Sequence, residues 1–356
     1  MLFIPNCYIR PYLRAVLYGI AAATAALLLA AVLAAAFRAP ALRAGILDRR
    51  RQRPLPLLGG LAVVAVTCLV AGVGEWTRVA PLGQGVGDLL AAAAAVAGLG
   101  LVADLWRLRT RVLVAGTVAA AAWVVPYDET GLLGGVLAVG WIALASLAFK
   151  GLDHADGLAG TVGVVTAFGV GACAAAEVMD GLAVLLSVVA AALTGFLMHN
   201  WHPARIGLGA CGSLFTGFVL SSAVVFTRAG YELGPSVAVV FCLSAVAVAD
   251  ALLVVLARGV ARRPLLRRGP DHLGHRLRRL GLAPQASAVL LGAASFSSVL
   301  VGVLVHAGWT GGGAALWVAG AVGLVVLVLV LLRNPVQQPR PTTSTQVSGH
   351  LRVRNG

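Results

Sequence analysis

AVLYGIAAATAALLLAAVLAAAF, residues 15–37, is followed at once by RAPALRAGILDRRRQR, residues 38–53. The first stretch has no charge over 23 residues, and the second holds six arginines. An α-helix rises about 1.5 Å per residue, so about 20 apolar residues cross a hydrocarbon core of about 30 Å. Residues 15–37 therefore read as a membrane-spanning helix with a basic anchor behind it. The run is too long for the apolar part of a signal peptide and reads as a retained span.

The rest of the chain repeats this pattern. Of its 356 residues 60% are hydrophobic and only 11% charged, with a mean hydropathy of +0.93. A soluble domain carries roughly 25% charged residues. A soluble fold of this composition would expose apolar patches large enough to aggregate. Reading apolar runs between charges gives spans at 15–37, 57–73, 86–103, 112–126, 131–149, 161–177, 181–197, 206–226, 236–257, 286–307 and 314–332. The expected fold is all-α, a polytopic membrane protein of about eleven transmembrane helices. Alanine and glycine recur in nearly every span, as close helix packing in lipid requires.

Charge orients the set. With the N-terminus outside and alternating sides, the inside segments are 38–56, 104–111, 150–160, 198–205, 258–285 and the tail after 332. They hold 23 of the 27 Lys and Arg residues, the bias that sets topology in membranes. The net charge of +14 is thus explained by positive loops beside apolar spans. No nucleic-acid module accompanies them, and no nucleic-acid partner is expected. The five cysteines are scattered, without metal or disulfide spacing. Residues 1–333 read as one membrane domain. The polar tail 334–356, rich in Pro, Ser, Thr and Gln, reads as disordered and cytoplasmic.

Five polar clusters fall on the inside. Pro54-Leu-Pro-Leu-Leu-Gly-Gly60 opens the second span, and Asp104 ends the third beside Arg107 and Arg109. The third cluster, Lys150-Gly-Leu-Asp153-His154-Ala-Asp156-Gly157, sets two carboxylates three residues apart, a spacing that shares a helical face. Such a cluster suits a diphosphate held through magnesium, which takes a few carboxylates plus phosphate oxygens. The fourth runs from Asn200 through His202, Arg205 and Gly209 to Gly212 and Ser213. Its glycines could let backbone amides reach a phosphate, but on spacing alone close helix packing is the preferred reading. The fifth holds Pro270, Asp271, His272, Gly274, His275 and Arg276. It reads equally as a diphosphate-binding arginine and histidine set or as a basic surface helix. Among the acids Asp250 alone lies inside a span away from its ends, where an ionisable group is a functional hypothesis by default.

In order, these clusters resemble the polyprenyl-phosphate N-acetylhexosamine-1-phosphate transferases, glycosyltransferase family 4, over residues 10–333. The carriers are Pro-x-Pro-x-x-Gly-Gly at 54–60, Asp156-Gly157-Leu158, Asn-Trp-x-Pro-Ala at 200–204, Gly-x-x-Gly-Ser-Leu-Phe at 209–215 and His-x-x-His-Arg-Leu at 272–277. Asp250 matches an aspartate of the WecA-like branch. The resemblance implies transfer of a sugar 1-phosphate from a UDP-sugar to polyprenyl phosphate, releasing UMP, with Mg2+ as cofactor. It further implies the bacterial cytoplasmic membrane with the site facing the cytoplasm, and admits a homodimer. Carried over residue by residue, the catalytic set is Asp104, Asp153 and Asp156, with Asp104 and Asp156 on the metal. Lys150, Asn200, Arg205, Gly212, Ser213, Asp250, His272, His275 and Arg276 are the substrate-binding set.

The departures fall on acids, amides and one histidine. The family's paired aspartates read Ala103-Asp104. Its Asn-x-x-Asn-x-x-Asp-Gly-x-Asp loop reads Lys150, Asp153, Asp156 and Ala159. Its Gly-Asp-x-Gly-Ser reads Gly209-Ala-Cys-Gly-Ser213, and its His-x-His-His has Gly274 in the middle. Two readings follow. Either a rearranged magnesium, or the charge of Lys150, serves a working transferase, or the chain is a non-catalytic paralogue that binds lipid phosphate or nucleotide-sugar. Asp153-His-Ala-Asp156-Gly157 also resembles the start of a CDP-alcohol phosphotransferase motif, but residues 161–176 lack the two further aspartates it needs. A transporter would need polar groups near the bilayer midplane, and only Asp250 is a candidate.

Overall fold

A computed structural model describes residues 6–48, 54–106, 108–262, 269 and 271–332, with side chains from residue 17 onward. Arg107, Pro270, the arginine run 49–53 and the tail 334–356 lie outside the described residues. Twelve helices and one two-residue β pair are present among those described. They are α1 Asn6–Arg43, β1 Leu47–Asp48, β2 Leu55–Pro56, α2 Gly59–Trp76, α3 Val86–Trp106, α4 Thr110–Val124 and α5 Tyr127–Leu152. There follow α6 Leu158–Ala176, α7 Asp180–Asn200, α8 Gly209–Thr227, α9 Leu233–Val260, α10 Leu273–Arg279, α11 Pro284–His306 and α12 Ala314–Leu331.

Ten of these helices are long and apolar enough to cross a membrane. The exceptions are α4 and the seven-residue α10. At 15 residues α4 is about 22 Å long, short of a full hydrocarbon core. Connectivity nevertheless makes it the eleventh crossing. Asp104 near the end of α3 and Asp153 just after α5 both bond the first amides of α8, so α3 and α5 end on the same side. Only α4 lies between them to return the chain, and extended backbone at Val125 lengthens it. The all-α architecture of about eleven spans expected from the sequence is the one found. α5 carries a non-helical Gly131 (φ 67°) near its start, so its straight part begins where the apolar run begins.

α8 is the axis of the bundle and is buried along nearly its whole length. α2, α3, α5 and α6 pack around it, while α1 and α12 lie at the margins with most of their surface outward. Exposed Leu28, Val32, Leu324 and Leu331 fit a lipid surround. Close approach to α8 depends on glycine. A Cβ on Gly60 of α2 would overlap the backbone of Gly212, and one on Gly212 would overlap Gly60. Small residues let backbones meet in this way, and dispersion then does the packing. Gly60→Ala should therefore separate the two helices at a cost of about 1–3 kcal/mol or more. Thermal unfolding in detergent checks this, with Gly72→Ala, whose Cβ meets nothing within 4 Å, as the silent control.

The end of the bundle away from α8's first turn is closed by a polar clasp. Tyr231 donates its hydroxyl to Glu177 Oε1 at 2.6 Å, and His306 Nε2 lies 3.2 Å from the same oxygen. The Arg228 guanidinium stands 4.0 Å over the Tyr231 ring. These contacts tie the end of α6 to the α8–α9 turn and to α11.

Candidate functional site

The other end gathers the polar clusters. α8 begins at Gly209, in a left-handed conformation (φ +69°) that favours glycine, and its first backbone N–H groups have no helical acceptors. Buried donors of this kind must find partners. Asp104 supplies two, accepting from Ala210 N and Cys211 N at 3.1 Å each. Asp153 Oδ2 accepts from Gly209 N at 2.9 Å. Two carboxylates from separate helices thus end on three consecutive amides, where the helix dipole also favours negative charge.

Asp156 turns elsewhere. Its Oδ2 accepts from His202 Nδ1 at 2.8 Å and from Ala204 N at 3.2 Å, tying the 153–157 loop to the stretch after α7. The acids that share the start of α8 are therefore Asp104 and Asp153, while Asp156, which the resemblance places on the metal with Asp104, bonds the stretch after α7. Asn200 stitches the same two segments. Its side chain is buried, accepts from Gly157 N at 2.9 Å and donates to Ile206 O at 2.8 Å. Gly157 needs its positive φ (+72°), and a Cβ there would press within 3.1 Å of the Trp201 ring. Lys150 sits on the last turn of α5, one turn before Asp153.

Three of the expected substrate-binding residues have partners within the bundle. Gly212 faces Gly60, and the Ser213 hydroxyl donates back to Gly209 O at 2.6 Å within its own helix. Arg276 Nη1 donates to the Leu329 carbonyl of α12. Arg205 lies in a cleft of about 120 Å³ between α1 and α7, lined also by Arg38, His199, Ala34, Ala35 and Ile206. Arg38 and His199 carry no signal of their own in the sequence, since their convergence depends on how α1 meets α7.

A second polar centre adjoins the acids. Asp250, 1% exposed, accepts from His272 Nδ1 and from Leu273 N, both at 2.7 Å. Arg258 Nε donates to Asp271 Oδ2 at 3.2 Å nearby. His154, which the sequence places between the two acids without assigning it a role, stacks on His272 with ring centroids 4.6 Å apart. It also tilts against His275 at 4.7 Å. Burial pushes the His154 imidazole down to about 3, against a smaller opposing pull from Asp250. Burial likewise lowers His275 to about 4, helped by His272, Arg278 and Arg279. Both rings are neutral at physiological pH, with a lone pair on one nitrogen each.

Asp104 and Asp153 offer hard oxygen donors from two elements on consecutive amides of α8. Magnesium is usually held by one or two carboxylates and completes its shell with water and substrate phosphate, so the pair fits that ion in number and chemistry.

Comparison with known proteins agrees with this layout. Residues 87–228, from the start of α3 through α8, match the family model described as glycosyl transferase family 4. A putative glycosyltransferase of Streptomyces coelicolor is 64% identical over 91% of this chain and 80% of its own length. A decaprenyl-phosphate N-acetylglucosaminephosphotransferase of Mycobacterium tuberculosis is 29% identical over 68% of this chain and 71% of its own. A phospho-N-acetylmuramoyl-pentapeptide-transferase of Rubrobacter xylanophilus is 30% identical over 64% of this chain and 76% of its own. With the acid loops assembled around α8 inside a bundle of membrane helices, the chain belongs to glycosyl transferase family 4, the polyprenyl-phosphate N-acetylhexosamine-1-phosphate transferases.

Proposed function

We propose that this protein moves a sugar 1-phosphate from a UDP-sugar to a polyprenyl phosphate, releasing UMP, in cell-envelope glycan assembly. The observation that carries the reading is the meeting of Asp104 and Asp153 on the first three amides of α8. Asp104 and Asp153 would hold Mg2+, which as a Lewis acid polarises phosphoryl oxygens and offsets charge on the diphosphate. Asp156, fixed by His202, keeps the 153–157 loop in register beside them. Among the described residues the site end holds Arg38, Arg43, Arg109, Arg111, Lys150, Arg205, Arg258, Arg262, Arg276, Arg278 and Arg279, against Arg10, Arg14, Arg78 and Arg228 at the other end. This bias favours a cytoplasmic site by the positive-inside rule, and a soluble nucleotide-sugar is available on that side.

The cleft of Arg38, His199 and Arg205 suits the lipid phosphate. It opens beside α1, whose Leu28 and Val32 face outward toward lipid. Arg205→Ala should raise KM for polyprenyl phosphate about tenfold, the loss of one charge-assisted contact of about 1.5 kcal/mol. KM for the UDP-sugar should barely move, and steady-state kinetics with each substrate varied in turn checks the split.

The direct test is to incubate the purified protein with magnesium, polyprenyl phosphate and a panel of UDP-sugars, and to measure UMP. A second reading rests on a specific observation: all three carboxylates accept backbone amides, which holds the loops together without a cation. It makes the chain a non-catalytic paralogue that binds lipid phosphate or nucleotide-sugar. No UMP from any donor, beside an active family control, would establish that reading over the transferase.

A further inference from the structure

The imidazoles of His154, His272 and His275 meet at the junction of the 153–157 loop, α9 and α10. Their ring centroids are 4.6, 4.7 and 6.4 Å apart. Three imidazoles on one tetrahedral ion, with metal–nitrogen bonds of about 2.0–2.1 Å, have centroids separated by about 5 Å. Donor atoms of His154, Asp250 and His272 already lie within 4.8 Å of one another.

Hydrogen bonding sets which nitrogens carry lone pairs. His154 Nδ1 lies 2.8 Å from the carbonyl oxygen of Gly151, which can only accept. Nδ1 therefore bears the proton and Nε2 the lone pair. His272 Nδ1 faces the Asp250 carboxylate in the same way, leaving its Nε2 as the donor to a metal. An imidazole whose second nitrogen is held by a carbonyl or carboxylate is the usual form of a metal-ligating histidine. Two ring nitrogens of the cluster, His154 Nε2 and His275 Nδ1, are buried with no hydrogen-bond partner, a state that calls for an explanation. Position 274 leaves the room: a Cβ there would stand 2.8 Å from His154 Nε2.

We infer that His154, His272 and His275, backed by Asp250, bind one divalent transition-metal ion of the zinc class, separate from the carboxylate pair at the start of α8. Imidazole donors suit zinc, copper, iron or nickel, whereas magnesium and calcium prefer oxygen. The His154 and His272 rings lie at 21° to each other, so binding turns one of them out of the stack to aim both lone pairs at one point. The ion would pin the loop carrying Asp153 and Asp156 to α9 and α10. Its role is positional, and the inference stands whether or not the transferase reading holds.

The test uses the full chain in detergent, stripped with chelator and titrated with Co2+. Expected are visible d–d bands of a tetrahedral site saturating at one ion per chain, displaced by one equivalent of Zn2+. His154→Ala and His272→Ala should each weaken binding at least tenfold, and Gly274→Ala should weaken it by crowding Nε2. Asp104→Asn should leave it unchanged. If a histidine variant fails to fold, judged by thermal unfolding, His275→Gln and Gly274→Ala carry the test. Absence of bands, binding that survives in the His154→Ala/His272→Ala double variant, or loss in Asp104→Asn alone would each overturn the inference. UMP release is not a readout here, so a failed transferase assay leaves this result unaffected.

Discussion

Asp104→Asn should lower UMP release by at least about 100-fold, the scale on which removing one preorganised electrostatic group slows an enzyme. The side chain keeps its shape and one acceptor oxygen. It loses the charge that a cation needs, and its amide N–H2 then opposes either Ala210 N or Cys211 N. Leaving one buried amide without an acceptor costs about 1–3 kcal/mol, so the variant should fold with a lowered Tm. Asp104→Ala strands both amides and should be less stable still. Thermal unfolding of the two variants beside their UMP assays separates the effects. Wild-type turnover in Asp104→Asn would remove this residue from the reaction.

Asp250→Ala is expected to be the most destabilising single change at the site end, by about 3–5 kcal/mol. The carboxylate is 1% exposed and accepts from both His272 Nδ1 and Leu273 N. Leu273 N would be left buried without an acceptor, and the half-buried His272 ring without its carboxylate. Asp250→Asn should cost much less. Its oxygen still accepts from Leu273 N, and His272 can move its proton to Nε2 so that Nδ1 accepts from the new amide. That tautomer has no lone pair left on Nε2, so Asp250→Asn should keep the fold and lose Co2+ binding. Unfolding in detergent, with a double-mutant cycle against His272→Gln, measures the coupling. A coupling near zero would show that the 2.7 Å contact contributes nothing.

Asp104, Asp153 and Asp156 stand out along the chain because acids are scarce among so many apolar residues, and Asp250 because it lies inside a span away from the ends. Their partners do not stand out. Asp104 bonds amides 106 and 107 residues away, and Asp156 bonds a histidine 46 residues away. Backbone amides have no side-chain signature, and His202 looks like one more polar residue after a span. Glycines 60 and 212 are visible as parts of motifs, and for Gly212 spacing alone already favours packing over phosphate. Their close backbone contact is what packing requires of them.

Membrane class, the number of crossings and the loops that share a side all follow from the amino-acid sequence, because they depend on apolar length and on charge counted segment by segment. Even the short α4 qualifies on that ground, since removing it would reverse the side of every later basic loop. It took tertiary packing to bring Asp153, rather than Asp156, to Asp104 at α8, and to join His154 with His272 and His275. Those choices turn on side-chain direction at the ends of helices. The packing of α2, α3 and α5 around a buried α8 fixes that direction, and no local run of residues specifies it.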